Sequence, residues 1–141
     1  MTPQEIAERA CKIMWDSDTA SEWAGMSLGP VAPGAATVTM TVRPEHCNGH
    51  GTAHGGVIYM LAGTAFAMAI NSYNVRAVAQ AGSITYLAPG NQGDQLKATS
   101  TEVVRAGRNG IYNVAITNQS NETIAEFRGN SRVIGGTLFE K

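Results

Sequence analysis

Apolar positions recur with a different period in successive parts of the chain, and each period predicts a different element. Near the start, Ile6, Ala10, Ile13 and Met14 stand at helical spacing. Thr2 is placed to cap that helix, Pro3 suits its first position, and Glu5 completes a capping box. This predicts a helix within residues 1–16, closed by Asp16-Ser17-Asp18. A stretch punctuated by Gly29, Pro30, Pro33 and Gly34 follows. "ATVTMTV", Ala36 to Val42, then alternates and predicts a strand. Residues 54–72, "HGGVIYMLAGTAFAMAINS", are apolar almost all round, which predicts one long buried helix. Four strand patterns complete the chain: Ala77 to Pro89, Asp94 to Gly107, Gly110 to Gln119 and Thr123 to Gly135. The last three read as an antiparallel meander.

This order predicts an α+β chain, a curved antiparallel sheet wrapped around one long central helix, in a single domain over residues 1–141. An open sheet has two edges, and edges are usually paired or covered, which favours an oligomer.

Composition narrows the function. Charged residues make up 15% of the chain, below the roughly 25% of an average domain. Either the surface is rich in neutral polar groups, or much of it is covered in an oligomer. A net charge of −1 offers no electrostatic footprint for nucleic acid. Cys11 and Cys47 form neither a disulfide framework nor a zinc site. The charged opening segment lacks a secretory apolar core, and no apolar run is long enough to span a membrane. The expected setting is a reduced, cytoplasmic one, with no membrane partner.

The candidate chemistry lies just before the long helix, in "HCNGHGTAHGG". His46, His50 and His54 admit three readings. Metal ligation is disfavoured, because Gly49 and Gly51 break the helical spacing and no fourth ligand is evident. A glycine-rich turn with partly exposed histidines is the second. The third uses the helix end: free backbone N–H groups with the helix dipole behind them stabilise a carbonyl oxygen that gains charge in acyl transfer. Gly55 and Gly56 would let a ligand approach the backbone, with Asn48 and His54 orienting it.

"NGHGTAHGGVIYMLAGTAFAMAINS", with "SITYLAPGNQGDQLKATS", "GIYNVAITNQ" and "AEFRGNSRVIGGT", resembles the hot dog fold acyl-CoA thioesterases, most closely their phenylacetate-degradation (PaaI-type) branch. The resemblance runs from about residue 36 to residue 137. It implies hydrolysis of acyl-CoA thioesters, with aryl or hydroxyphenylacetyl-CoA as substrate, in a homodimer that assembles into a tetramer. It implies no cofactor beyond the coenzyme A of the substrate. By position, Asn48 matches the family's Asn or Gln beside the thioester, His54 the motif histidine, and Gly55 the N–H that polarises the carbonyl.

One match fails. The family carries an acid nine residues after that histidine, in Leu-Ala-Asp, where this chain has Leu61-Ala62-Gly63. The acid attacks the thioester or activates water. Gly63 does neither, so the chain is expected to be a weakly active or inactive variant. Nine residues of helix amount to about 13 Å and half a turn, so position 63 must serve the site of a neighbouring subunit. Thr64 and Glu45 are weak substitutes. Close passage of two helices along Ala62, Ala65, Ala67 and Ala69 is the other reason for a small residue there.

For the rest of the ligand, Arg105 and Arg108 are candidates for the coenzyme A phosphates, with Arg128 less favoured. Tyr59, Phe66 and Tyr86 are candidate pocket residues. A non-catalytic acyl-CoA binding or regulatory module is the alternative function, favoured by Gly63; a dehydratase is disfavoured for want of its motif.

Overall fold

The computed structural model describes residues 1–141. Helix α1 spans Pro3–Asp16 and α2 Thr19–Ala24; β1 (Met26–Ala32) and β2 (Ala35–Thr41) follow. A 3-10 turn, Pro44–His46, leads to the long helix α3, Gly55–Asn71. Strands β3 (Ala77–Tyr86), β4 (Gln95–Ala106), β5 (Asn109–Thr117) and β6 (Thr123–Val133) complete the chain. The six strands form one antiparallel sheet in the order β1-β2-β4-β5-β6-β3, and α3 touches every strand.

The expected long helix, the meander β4-β5-β6 and the sheet around the helix are all present. Two elements went unforeseen. Helix α2 has only six residues, too short for a periodic signal. It is set by its ends: Asp18 accepts from the Ser21 N–H (2.9 Å) and the Ser21 hydroxyl (2.7 Å), and Gly25 closes it in the left-handed region at φ 76°. Strand β1 carries Pro30, which argues against a strand. It is an edge strand whose pairing with β2 skips from Leu28 to Val31, so Pro30 breaks no ladder bond. At α1, Thr2 Oγ1 accepts from the Glu5 N–H (3.1 Å), which is half of the expected capping box.

The core lies between α3 and the concave face of the sheet. Val38, Leu96, Val114, Ile116 and Ile124 from the strands are fully buried against Leu61, Phe66 and Met68. An aromatic chain runs through it: Tyr59 to Phe127 (5.3 Å), Phe127 to Phe66 (5.7 Å) and Phe66 to Tyr112 (5.6 Å). Phe66 is therefore core rather than pocket wall. Gly129 makes this contact possible, since a Cβ there would stand 2.7 Å from Phe66.

Beyond its first turn, where Gly55 to Val57 are half-buried or exposed, helix α3 is buried except along one stripe that continues from Gly56 through Tyr59, Met60, Gly63 and Ala67. Beside it, β3 forms a sheet edge whose residues Val78 to Ser83 are all exposed. The open stripe and the open edge therefore adjoin.

Cys11 is fully buried where α1 meets α3, its thiol donating to the Met68 carbonyl (3.3 Å), and burial pushes its pKa from 9.0 up to about 12. The unfolded chain gives up this proton near pH 9 and the folded chain does not. Stability is therefore expected to fall as pH rises from about 9 towards 12. Urea titrations across that range, on wild type and Cys11→Ala, check this: the alkaline slope should shrink in the variant.

Candidate active site

The loop before α3 is folded around Asn48. Its Oδ1 accepts from the His50 N–H (2.9 Å), the Thr52 N–H (3.3 Å) and the Thr52 hydroxyl (3.4 Å), while its backbone N–H donates to the Thr52 carbonyl (2.8 Å). With Oδ1 so engaged, the Asn48 amide nitrogen is the group left to meet a ligand. A second segment is stitched to this loop: the Ala53 N–H donates to the Gly90 carbonyl (2.7 Å).

The three histidines part company. His46 is buried; its Nδ1 accepts from the Arg43 N–H (2.9 Å), so Nε2 carries the proton and donates to the Ala24 carbonyl (2.9 Å). Its own carbonyl accepts from the His54 N–H (2.8 Å). His46 thus ties α2 to the loop. His50 is exposed. His54 caps α3: its Nδ1 accepts from the Gly56 N–H (2.8 Å). No three His, Cys, Asp or Glu side chains gather into a metal-holding group.

With the Gly56 N–H held by His54, the Gly55 N–H is the one beside it without an acceptor in the chain. The Gly55 carbonyl accepts from the Tyr86 hydroxyl (2.7 Å), which clamps the first turn of α3 to β3. The Tyr86 ring lies so close that a Cβ on Gly55 would stand 3.0 Å from it. Asn48, Gly55 and Tyr86 line a cavity of about 420 Å³ with Thr52, Ile58 and the segment Leu87 to Gly90. No charged side chain lines it, and the first turn of α3 carries no acid. The positive end of the helix dipole is therefore unopposed, which suits a carbonyl oxygen gaining negative charge. Leu87 to Gly90 read from the sequence only as the end of a strand and a turn; the Pro-Gly pair was the one signal for a turn there.

The remaining candidates lie elsewhere. Gly63 is two turns along α3 from Gly55, about 12 Å, on the open stripe. A Cβ built there meets nothing within 4 Å. Thr64 points the other way: it is 8% exposed, donates to the Met60 carbonyl (2.8 Å) and lies 3.4 Å from the Ser21 hydroxyl. Glu45 is exposed and paired with Arg43 (3.1 Å). Arg105 and Arg108 line a separate cavity beside Ile70, near the far end of α3. Arg128 sits on exposed β6, opposite Ser83.

The profile of the thioesterase superfamily matches residues 50–125, which takes in His54, α3 and the cavity wall from Thr52 to Gly90. The chain belongs to the thioesterase superfamily. Within it, the chain is similar to the acyl-coenzyme A thioesterase PaaI of Escherichia coli K12, 42% identical over 125 residues, or 89% of each chain. The solved structure of E. coli PaaI, from the phenylacetic acid degradation operon, superposes with a TM-score of 0.95 at 40% identity, over 96% of this chain and 99% of that one. A Streptococcus mutans protein solved bound to acetyl CoA matches at a TM-score of 0.77 and 27% identity, over 80% and 91% of the two chains. The fold is the hot dog fold, of the PaaI type. No helix in this superfamily member is long and apolar enough to cross a membrane.

Removing the His54 cap should loosen the turn that presents Gly55. His54→Ala is expected to cost about 0.5–2 kcal/mol in urea unfolding, with amide exchange at Gly55 and Gly56 rising before the rest of α3.

Proposed function

We propose that this chain is an acyl-CoA thioesterase in fold and in its carbonyl-polarising half, and that it lacks the acid half of the site. The thioester carbonyl is received by the Gly55 N–H at the head of α3, with the Asn48 amide nitrogen beside it. Water attacks the carbonyl carbon, charge gathers on the oxygen facing Gly55, and the coenzyme A thiol leaves. The attacking water must lose a proton, and none of the residues lining the cavity is a carboxylate to take it.

The observation that carries this reading is the setting of position 63. The position lies on the one stripe of α3 that the rest of the chain leaves open, and a Cβ there meets nothing within 4 Å in its own protomer. An acid at 63 would reach out to a second copy. Burial of the stripe and of the β3 edge against that copy, in a homodimer and then a tetramer, completes each site from two chains. A glycine in mid-helix also costs roughly 1 kcal/mol relative to alanine, so helix stability does not explain it. Similarity to a protein of the phenylacetic acid degradation operon supports aryl or hydroxyphenylacetyl-CoA as the ligand. Gly63 equally supports a second reading, a module that binds acyl-CoA without hydrolysing it.

Both readings meet in one substitution. Gly63→Asp adds a Cβ that meets nothing within 4 Å in its own protomer and is expected to raise kcat for thiol release from phenylacetyl-CoA by about 10²–10⁴-fold. A chain already as fast with Gly63 as with the acid would contradict the proposal. A restored acid that leaves hydrolysis undetectable would favour the binding module.

A further inference from the structure

The buried residues of this chain include no Asp, Glu, Lys or Arg and one histidine, His46, which is 4% exposed. It is the third residue of the turn Pro44–His46, where a capping box needs an acceptor for the N–H that precedes the turn. Its Nδ1 is that acceptor, taking the Arg43 N–H, and its Nε2 proton goes to the Ala24 carbonyl.

The second bond closes α2. The last carbonyls of a helix have no partners within it. At the end of α2, His46 meets the Ala24 carbonyl and the Arg43 guanidinium meets that of Trp23 (3.0 Å). The main chain of His46 passes the constraint onward. Its carbonyl holds the His54 N–H, and His54 in turn holds the Gly56 N–H. One imidazole therefore stands behind the cap that aims the Gly55 N–H.

The Arg43 bond needs a neutral ring. A protonated imidazole has two donors and no acceptor. Its Nδ1–H would face the Arg43 N–H, leaving two donor nitrogens 2.9 Å apart. Its charge would also arise next to the Arg43 guanidinium, which occupies the neighbouring carbonyl. The charged and titratable neighbours are already engaged or turned to solvent. Glu45, in the same turn, is exposed and paired with Arg43 (3.1 Å). Asp94, bonded through its carbonyl to Val42, accepts with its carboxylate from the Asn91 N–H and the Gln119 amide. Glu22 on α2 is exposed, and so is His54, whose Nδ1 is taken by Gly56. Strands β1 and β2 and helix α3 contain no charged residue.

We propose that His46 is a positioning residue for the head of α3, and that it holds the Gly55 donor in place only while its ring is neutral. A proton taken from solvent at Nδ1 breaks the Arg43 bond, opens the turn and slackens the carbonyl that holds His54. The donor end then loosens across the acid range in which imidazole gains its second proton, around pH 6.5 for an unperturbed ring. The latch stands on these hydrogen bonds; its effect on hydrolysis rests on the function proposed above.

Amide hydrogen exchange of the full chain tests this, read residue by residue at about pH 7.5 and about pH 5.5 and corrected for intrinsic rates. In wild type, protection at the His54, Gly56 and Ile58 amides should fall several-fold on acidification, relative to the middle of α3. His46→Gln keeps a neutral acceptor at the same place in the capping box, so its protection should be alike at both pH values. His46→Ala should leave these amides weakly protected at both. Thermal melting checks that the variants stay folded. Protection that falls with pH in His46→Gln as it does in wild type would assign the effect to His54 or His50 and overturn the proposal. Wild-type protection that ignores pH would overturn it too. In the Gly63→Asp chain, the drop in kcat/KM over the same pH range should shrink when His46→Gln is added. A Gly63→Asp chain with no hydrolysis at either pH counts against the proposed function, and the exchange result still decides the latch.

Discussion

A helix as apolar as α3 is stable only where its circumference is covered, and the sheet together with α1 and α2 covers all of it but one stripe. That stripe decides much else. It holds Gly56, Tyr59, Met60, Gly63 and Ala67, and it lies beside the β3 edge, whose backbone has no neighbour on its outer side. Apolar surface and unpaired strand groups together make a face that a second copy of the chain is suited to cover. The low charge of the sequence fits a protein with much of its surface destined for such contacts. The same stripe runs from the head of the helix to position 63, so whatever covers it also closes over the proposed site.

The head of α3 works because its donors are sorted. His54 takes the Gly56 N–H, Tyr86 takes the Gly55 carbonyl, and the Gly55 N–H is left for a ligand. Each group has one task, and a Cβ on Gly55 would disturb the clamp by meeting Tyr86. The donor is thereby fixed before any ligand arrives, as electrostatic stabilisation of a developing oxyanion requires. Holding the donor and supplying a base are separate jobs on separate parts of the helix. A glycine at 63, on the proposed reading, therefore leaves the donor end untouched.

Much of the fold was legible because hydrophobic period carries it: an all-apolar helix and alternating strands announce themselves. Helix α2 was not, being held by an Asp18 cap rather than by a face, and β1 was hidden by Pro30, which an edge strand tolerates. At the site, Asn48, Gly55 and Tyr86 converge on one cavity, whereas Thr64 turns inward to Ser21 although it adjoins Gly63. A shift of one residue rotates a helical side chain by about 100°, and only the packing of the sheet and of α2 around α3 says which direction is inward. His46 looked like one of a trio of ligands; its burial against Ala24 depends on a contact 22 residues back in the chain.

The central claim is that one site is shared by two chains, with Gly55 from one and position 63 from the other. Proline suits the first position of a helix and removes the N–H that matters here, while its Cβ also crowds the Tyr86 clamp, so the donor end is disabled on both counts. A Gly55→Pro, Gly63→Asp double variant would therefore carry the acid without the donor, while the wild-type chain carries the donor without the acid. Refolded together, the two should hydrolyse phenylacetyl-CoA well above either chain alone, because each mixed dimer holds one complete site. A mixture no faster than the sum of its separate chains, with mixed dimers shown by native mass spectrometry, would contradict the account.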